Sequence, residues 1–293
     1  MEGCSYIGDI RLEQKRQVEQ IRYMFSHELS SHAFASLFLW KKHLGLTLYL
    51  ADQFFVVKCN IRGENTWFFP CGNDDMKKMF ISRHIKEDDF SLCYLEDRDK
   101  AFLERYYPGC FFVSEEESSS EYLYDREAYE TIRGRKFSNM RKQINRLQKE
   151  HKIEIKALCD ENINIAWKIL HAGFSESDTA EIFMPKAADV IEEALQYRKE
   201  LELFGILVFV DDTAQSMVMG FPLTEDTLDG CIEYSNTSLH GLSYLSKRAW
   251  FLFSGEQYRY MNAEEDLGLP GLRMAKRHMA PIRQNRIWQA AKI

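Results

Sequence analysis

Glu233 lies in the run Cys-Ile-Glu-Tyr-Ser, 231–235. Alternation there puts Glu233 and Ser235 on one face of a strand, and Ile232 and Tyr234 on the other. A carboxylate in mid-strand can act as a general base; the same position also suits an ordinary outward-facing strand residue. A second acidic group, Glu264-Glu265-Asp266, follows Asn262 and precedes a turn enforced by Gly268, Pro270 and Gly271. Exposed loop acids are mostly just solvated. A loop after a strand end is nevertheless where α/β sheets place their ligands. Asp266 or Glu264 could take a proton there or hold an ammonium group.

The third constellation is cationic. Residues 133–152 hold eight Lys/Arg and one acid, Glu150. Met140, Ile144 and Leu147 make an apolar stripe at helical spacing. Lys142, Arg146 and Lys149 make a second, charged stripe, with Arg141 and Asn145 an i, i+4 pair beside it. Ser138 or Asn139 suits the N-cap. Arg135 and Lys136 lie just before it, where free amide groups favour anions. Such a helix suits an RNA backbone or a phosphorylated ligand; a domain-linking helix with its charges paired to an acidic body has the same pattern. The last 23 residues hold six Lys/Arg and no acid. Among them Arg273 and Lys276 flank the turn and could meet a phosphate. Arg277, Arg283 and Arg286 complete the set, and a loose basic tail is the alternative for all five.

These residues need a scaffold, and the composition sets its scale. The chain has 293 residues, 45% hydrophobic and 28% charged, enough for two globular domains of about 150 residues each. The net charge of −7 argues against a general nucleic-acid binder, yet the 133–152 segment alone is +7, so the remainder sums to −14. No apolar run is long enough for a membrane span, and the start lacks a signal-peptide pattern. Seven cysteines without a C-x-x-C pair indicate thiols in a reducing cytoplasm, with Cys59, Cys93 and Cys231 on strands. The eight histidines show no ligand spacing, so no metal is expected; His27 and His32 read as helix and loop residues. P-loop, dinucleotide and nucleophile-elbow motifs do not occur.

Hydrophobic periodicity predicts strands at 6–11, 47–59, 66–71, 90–95 and 110–114 in the first half, with helices at 12–29, up to Gly45, at 74–85 with Asp74 or Asn73 as its cap, and at 97–106. Residues 115–121 read as an exposed loop. A basic helical region runs over 125–151, broken near Gly134. The second half predicts strands at 153–158, 203–210, 216–222, 230–235, 258–262 and 282–290. Its helices fall at 161–175, from Pro185 to about 200, at 242–253 and at 271–278. The expected fold class is α/β with mixed α+β sheets, built twice: a domain over 1–120, a basic connecting segment over 121–151 and a domain over 152–293.

Three segments carry a family resemblance: Gly134–Leu147, Asn262–Arg273 and Lys276–Pro281, supported by a Leu-Phe-x-Trp stretch at Leu37–Trp40. Together they are similar to the bacterial family named after the C-terminal domain of phosphatidylglycerol lysyltransferase. The second half also resembles the GNAT acyltransferase fold in its element order. The resemblance implies two tandem GNAT-like domains related to Fem-type peptidyltransferases. It implies transfer of an aminoacyl group from aminoacyl-tRNA to an amine or hydroxyl acceptor, a lipid head group or a small molecule. The lipid enzymes of the family carry a multi-span membrane domain that this sequence lacks. Arg135, Lys136, Arg141 and Arg273 would bind the donor's phosphates, with Asn145, Asn262, Glu264 and Lys276 beside them. Glu233 or Asp266 would receive the acceptor's proton, and Tyr244 could protonate the leaving group.

GNAT enzymes that use acetyl-CoA generally carry Gln/Arg-x-x-Gly-x-Gly/Ala before a helix, cradling the pyrophosphate. Here the sequence reads Ser-Leu-His-Gly-Leu-Ser, 238–243: Gly241 is in place, and the leading Gln/Arg is missing. An acyl-CoA-dependent N-acetyltransferase and a non-catalytic GNAT-like binding module are the alternatives. No cofactor is required beyond the aminoacyl-tRNA or acyl-CoA donor. tRNA is the expected macromolecular partner, and the cytoplasm the expected location, with peripheral membrane contact through the basic islands.

Overall fold

A computed structural model describes residues 6–61, 63–175 and 189–293. In chain order the first half contains β1 (Tyr6–Gly8), α1 (Lys15–Met24), α2 (Phe34–Trp40), β2 (Thr47–Ala51), β3 (Phe54–Ile61), β4 (Glu64–Phe68) and β5 (Cys71–Gly72). It continues with α3 (Asp74–His84), β6 (Ser91–Leu95), α4 (Asp97–Tyr106), β7 (Phe111–Glu115), β8 (Glu121–Asp125), α5 (Arg126–Thr131) and α6 (Ser138–Glu150). The second half adds β9 (Ile153–Ala157), α7 (Ile163–Ser175), the described part of α8 (189–196), β10 (Phe204–Val210), β11 (Thr213–Pro222) and β12 (Thr227–Ser235). It closes with α9 (Leu242–Phe253), β13 (Tyr260–Asn262), α10 (Pro270–His278), β14 (Arg283–Asn285) and β15 (Trp288–Lys292). The expected helix start at Pro185 lies outside the described residues.

Two compact units result. The first comprises 1–121, 265–268 and 285–293; the second comprises 122–264 and 269–284. The basic segment expected to connect two domains therefore belongs to the second unit, and the chain's last residues belong to the first.

In the first unit the sheet order is β1-β2-β3-β4-β6-β15-β7, with β5 paired to β3. β4 and β6 run parallel, and β15 pairs antiparallel with both β6 and β7. Its core joins Phe80 and Ile81 of α3 and Phe102 and Leu103 of α4 to Trp67, Leu92 and Ala290 of the sheet. The Asn73 side chain caps α3, accepting from Met76 N at 2.9 Å, as the sequence suggests. Residues 47–59 make a hairpin rather than one strand, because Asp52-Gln53 turns the chain between β2 and β3.

The acidic run 115–121 is not wholly an exposed loop either. Glu121 is buried, and its Oε1 accepts from Ser30 N at 2.8 Å and from Ser30 Oγ at 2.7 Å. Residues 282–290 divide into β14 and β15, which pair in different sheets.

In the second unit the order is β14-β8-β13-β12-β11-β10-β9. Ile206, Val208 and Val210 alternate along β10 toward one core, shared with the Met140, Ile144 and Leu147 stripe of α6 and with Trp250 of α9. Trp250 is fully buried and donates its Nε1 proton to Phe204 O at 3.2 Å. Phe137, not Ser138 or Asn139, occupies the α6 N-cap position, and no side chain caps there.

Two arginines fasten α5 to α9. Arg126 donates to Phe251 O and Leu252 O at 2.7 and 2.9 Å, and Arg248 donates to Tyr129 O and Glu130 O at 2.7 and 2.8 Å. Each guanidinium thus satisfies the last carbonyls of the other helix, where a cation also suits the helix dipole.

The register between β11 and β12 slips beside Gly220. Phe221 faces Asp229 but Met219 faces Ile232, so β12 carries one extra residue. A Cβ at Gly220 would lie 1.8 Å from the Asp229 carbonyl oxygen. The expected consequence is that Gly220→Ala lowers stability by about 3 kcal/mol, because the strand pair must open to admit one methyl group. Urea unfolding of the two proteins checks it.

Candidate active site

The parallel strand pair of the second unit is short. β12 and β13 pair only through Thr227↔Tyr260, Leu228↔Met261 and Asp229↔Asn262. β13 then stops, while β12 runs on through the Gly230-Cys231 bulge to Ser235. The extra residue shifts the alternation, and Glu233 comes to meet α9. Its Oε1 accepts from Ser243 Oγ at 2.7 Å, and its Oε2 lies 2.6 Å from Lys247 Nζ. Ser243 and Lys247 are i, i+4 on α9, hence on one face. The Glu233 and Lys247 side chains are only 20% and 15% exposed. A carboxylate so held can receive a proton from an incoming nucleophile, and the neighbouring ammonium can supply one to a leaving group.

Tyr244 follows Ser243 on α9 and is half-buried. Burial pushes its phenol above the usual range while a hydrogen bond with the Asn139 side chain opposes the shift, so it remains a hydroxyl donor at neutral pH. Gly241, at the start of α9, has φ +95°. A Cβ there would lie 2.7 Å from both the carbonyl carbon and the oxygen of Gln143. The glycine is required by the close approach of α6 to the start of α9.

At the root of the split, Asn262 is fully buried and its Oδ1 accepts from Glu264 N at 2.8 Å. This stabilises the left-handed conformation of Glu264, φ +54°. Burial, with Glu264 and Asp229 close by, pushes the Cys231 thiol well above its ordinary pKa. Asp266 is also fully buried, in the first unit, where its Oδ1 accepts from Gly268 N at 2.9 Å. The two candidate bases thus belong to different units, and the Asp266 carboxylate closes a turn.

The expected phosphate-binding residues divide into two kinds. Arg135, Lys136 and Asn145 are exposed, as are Lys142 and Lys149 of the same face; Arg146 pairs with Glu150 at 2.9 Å. Arg141 donates to Ile132 O and Gly134 O, holding the left-handed residue that ends α5. Arg273 is half-buried on α10. Lys276 is turned inward, 6% exposed, with its Nζ donating to Ala263 O. Asn262 and Lys276 are therefore placed to shape the Asn262–Glu264 bend rather than to face solvent.

The first unit contains a buried polar cluster that the sequence did not suggest. His27 and His32 are 4% and 1% exposed, and their rings lie 3.8 Å apart. Burial lowers the pKa of both, to about 3 for His32. Ligand atoms of His27, Glu96 and Asp99 lie within 4.8 Å of one another, the one such group of three among the described residues. Each carboxylate there already has a cation: Arg98 at 2.5 Å from Glu96, and Lys77 at 3.8 Å from Asp99. The ion pairs make this a charge-balanced structural cluster.

Residues 23–290 match the family described as phosphatidylglycerol lysyltransferase, C-terminal. The chain belongs to that family. No curated protein sequence matches it at a significant level. A conserved protein of unknown function from Bacteroides thetaiotaomicron is similar in structure, with TM-score 0.90 and 23% identity over 98% of this chain and 99% of that one. L-PGS from Bacillus licheniformis superposes with TM-score 0.65 and 14% identity, over 97% of this chain and 92% of that one. A tandem GNAT protein from the clavulanic acid biosynthesis pathway gives TM-score 0.50 and 7% identity, covering 98% of both chains. The fold is a tandem GNAT fold, and membership of the lysyltransferase C-terminal family supports an acyltransferase type of function.

Lys247 was not singled out by the sequence, and Ser243 only as the last position of the 238–243 stretch. Their i, i+4 spacing is common on helices, and only the bulged strand opposite brings a carboxylate between them. In this member of the family, burial also raises Glu96 from 4.5 to about 7. Between those values the folded state binds more protons than the unfolded state, so this contribution to stability is complete at low pH and is lost as pH rises through about 7. The expected outcome is that the parent protein loses up to about 3 kcal/mol relative to Glu96→Gln between pH 4.5 and pH 8. Parallel denaturant titrations across that range measure the difference.

Proposed function

We propose that the protein transfers an aminoacyl group from aminoacyl-tRNA to an amine or hydroxyl of a lipid head group or small molecule. The observation that carries this reading is Glu233, held by Ser243 and Lys247 where β12 outruns β13. Family membership and the tandem GNAT fold agree with it. The acceptor's nitrogen or oxygen attacks the carbonyl carbon of the aminoacyl ester. A new C–N or C–O bond forms, and the ester bond to the terminal ribose of the tRNA breaks. Glu233 takes the acceptor's proton. The departing ribose oxygen receives a proton from Lys247 or Tyr244, and the proton on Glu233 restores the donor. Binding both substrates converts a bimolecular attack into a positioned one, which contributes more than proton transfer alone.

The exposed cations Arg135, Lys136, Lys142 and Lys149 form the face that would meet tRNA phosphates. Arg141 supports that face by holding its turn. The close packing of Gly241 on Gln143 favours this donor over acyl-CoA, whose pyrophosphate needs access to the amides at such a helix start.

Filter binding of bulk aminoacyl-tRNA, with deacylated tRNA and acetyl-CoA as competitors, tests the donor. Binding should weaken steeply between about 50 and 200 mM salt, and the double variant Lys142→Ala/Lys149→Ala should reduce the salt slope by about 1.5. Glu233→Gln should keep tRNA binding and lose at least about 100-fold in transfer of labelled amino acid to an acceptor extract. Binding of acetyl-CoA without tRNA would move the activity to a small-molecule N-acyltransferase. Absence of any ligand for the second unit would leave a non-catalytic module.

A further inference from the structure

The first unit has a cavity of about 740 Å³ on the face of its sheet formed by β4, β6, β15 and β7. That volume is in the range of small-molecule sites. Every residue lining it belongs to the first unit, so it is separate from the Glu233 constellation. It arises from strand alternation. Ala290 of β15 and Leu92 of β6 turn to the core beneath α3 and α4, leaving Gln289, Ala291, Ser91 and Cys93 on the cavity side.

Its chemistry is distinctive. Hydroxyl and amide groups cover the floor: Ser91 Oγ donates to Thr66 Oγ1 at 2.9 Å, and Gln289 Nε2 donates to Ser114 Oγ at 3.4 Å. Thr66 and Ser114 accept in these pairs; the Ser114 hydroxyl proton can still be directed to a ligand, while the Thr66 side chain also bonds the Cys93 thiol. Two carboxylates border it: Glu64 is exposed, and Glu116 is half-buried, its Oε1 accepting from Ser118 Oγ. Among the described lining residues there is no Lys, Arg or His. Phe112, 66% exposed, supplies an apolar face, and Tyr94 an aromatic hydroxyl.

Tyr94 is also strained. Its φ is +54°, a left-handed conformation that a bulky L-residue rarely adopts. The β6–β15 register explains it: Trp288 faces Leu95 and Ala290 faces Leu92, so β6 has an extra residue at Cys93-Tyr94. The strain is held by packing, with the Tyr94 ring 4.6 Å from that of Phe68. Strained backbone and bulges concentrate where a fold aims a side chain at a ligand. Burial, with Glu265 and the Cys93 and Cys59 thiols nearby, keeps the Tyr94 hydroxyl protonated at neutral pH.

We propose that this cavity is a binding site for a small cationic amine that also carries hydroxyl groups, such as an amino sugar or amino alcohol. Glu64 and Glu116 would attract the ammonium group. Thr66, Ser91, Ser114 and Gln289 would bond the hydroxyls, and Phe112 would cover the carbon skeleton. Among the described lining residues a phosphorylated or carboxylated compound has no cation to meet, and it would face two carboxylates. The site stands independently of the aminoacyl transfer proposed above.

Ligand-observed NMR and calorimetry with glucosamine test the proposal, using N-acetylglucosamine as the uncharged analogue and glucose 6-phosphate as the anionic one. Glucosamine should bind at least about tenfold more tightly than N-acetylglucosamine, equivalent to one well-placed charge. Glucose 6-phosphate should not bind. Glu64→Gln/Glu116→Gln should erase the preference for the charged sugar. Ala291→Trp, at an exposed strand position, should fill the cavity and abolish binding while the circular dichroism and melting curve stay those of the parent. Glucosamine binding that survives Ala291→Trp, preference for the phosphate, or no binding of any of the three would overturn the site. These readouts contain no tRNA and no transfer step, so they stand or fall apart from the function assigned to the second unit.

Discussion

Three residues of parallel pairing, Thr227–Asp229 against Tyr260–Asn262, set the terms for the second unit. Beyond Asn262 the β13 backbone turns away, and the residues of β12 that follow lose a neighbour on that side. Buried backbone groups rarely go unpaired, so a strand losing its partner must be covered or must line an opening. Here the bulge after Asp229 turns Glu233 to α9, and Gly220 permits the close contact that the bulge requires. Asn262 and Lys276 then fix the chain as it leaves the sheet, each bonding backbone atoms of the Ala263-Glu264 bend. The chemistry assigned to Glu233 therefore depends on a main-chain event three residues earlier.

The basic islands show how one kind of residue can serve two ends. Arg126, Arg141 and Arg248 spend their donors on carbonyls at the ends of α5 and α9. Those carbonyls are the ones a helix cannot satisfy by itself, and a planar guanidinium reaches two of them at once. Lys142 and Lys149, on α6, keep their charge in water. Charge counting places Arg141 in one positive segment with these lysines, but their energetic roles differ. The arginines define the geometry of the helices, and the exposed lysines define the field that an anionic ligand meets.

Each unit distorts one strand of its parallel pair, and both distortions lie beside functional candidates. In the second unit the bulge precedes Glu233. In the first it places Tyr94, with its left-handed backbone, against the cavity of Thr66, Ser91 and Ser114. Residues in sparsely populated conformations persist only where surrounding packing enforces them. Phe68 supplies such packing for Tyr94, as the fully buried Trp250, close against Gly230, does in the second unit.

The sequence by itself determined the local elements wherever periodicity and punctuation agree. The helices 97–106 and 242–253 have the expected ends, Asn73 caps α3, and the Met140–Ile144–Leu147 stripe faces a core. The GNAT-like class and the family were legible in element order and in the segments around Gly134 and Asn262. Tertiary structure decided the rest, because it depends on partners far apart in the chain. Nothing near 282–290 shows that β14 and β15 enter different sheets, since each strand's pairing is set by edges built from residues 91–125. The inward turn of Lys276, the burial of His27 against His32, and the meeting of Glu233 with Ser243 and Lys247 are of the same kind. Local spacing fixes which face a side chain occupies, and only the packed fold fixes what lies opposite that face.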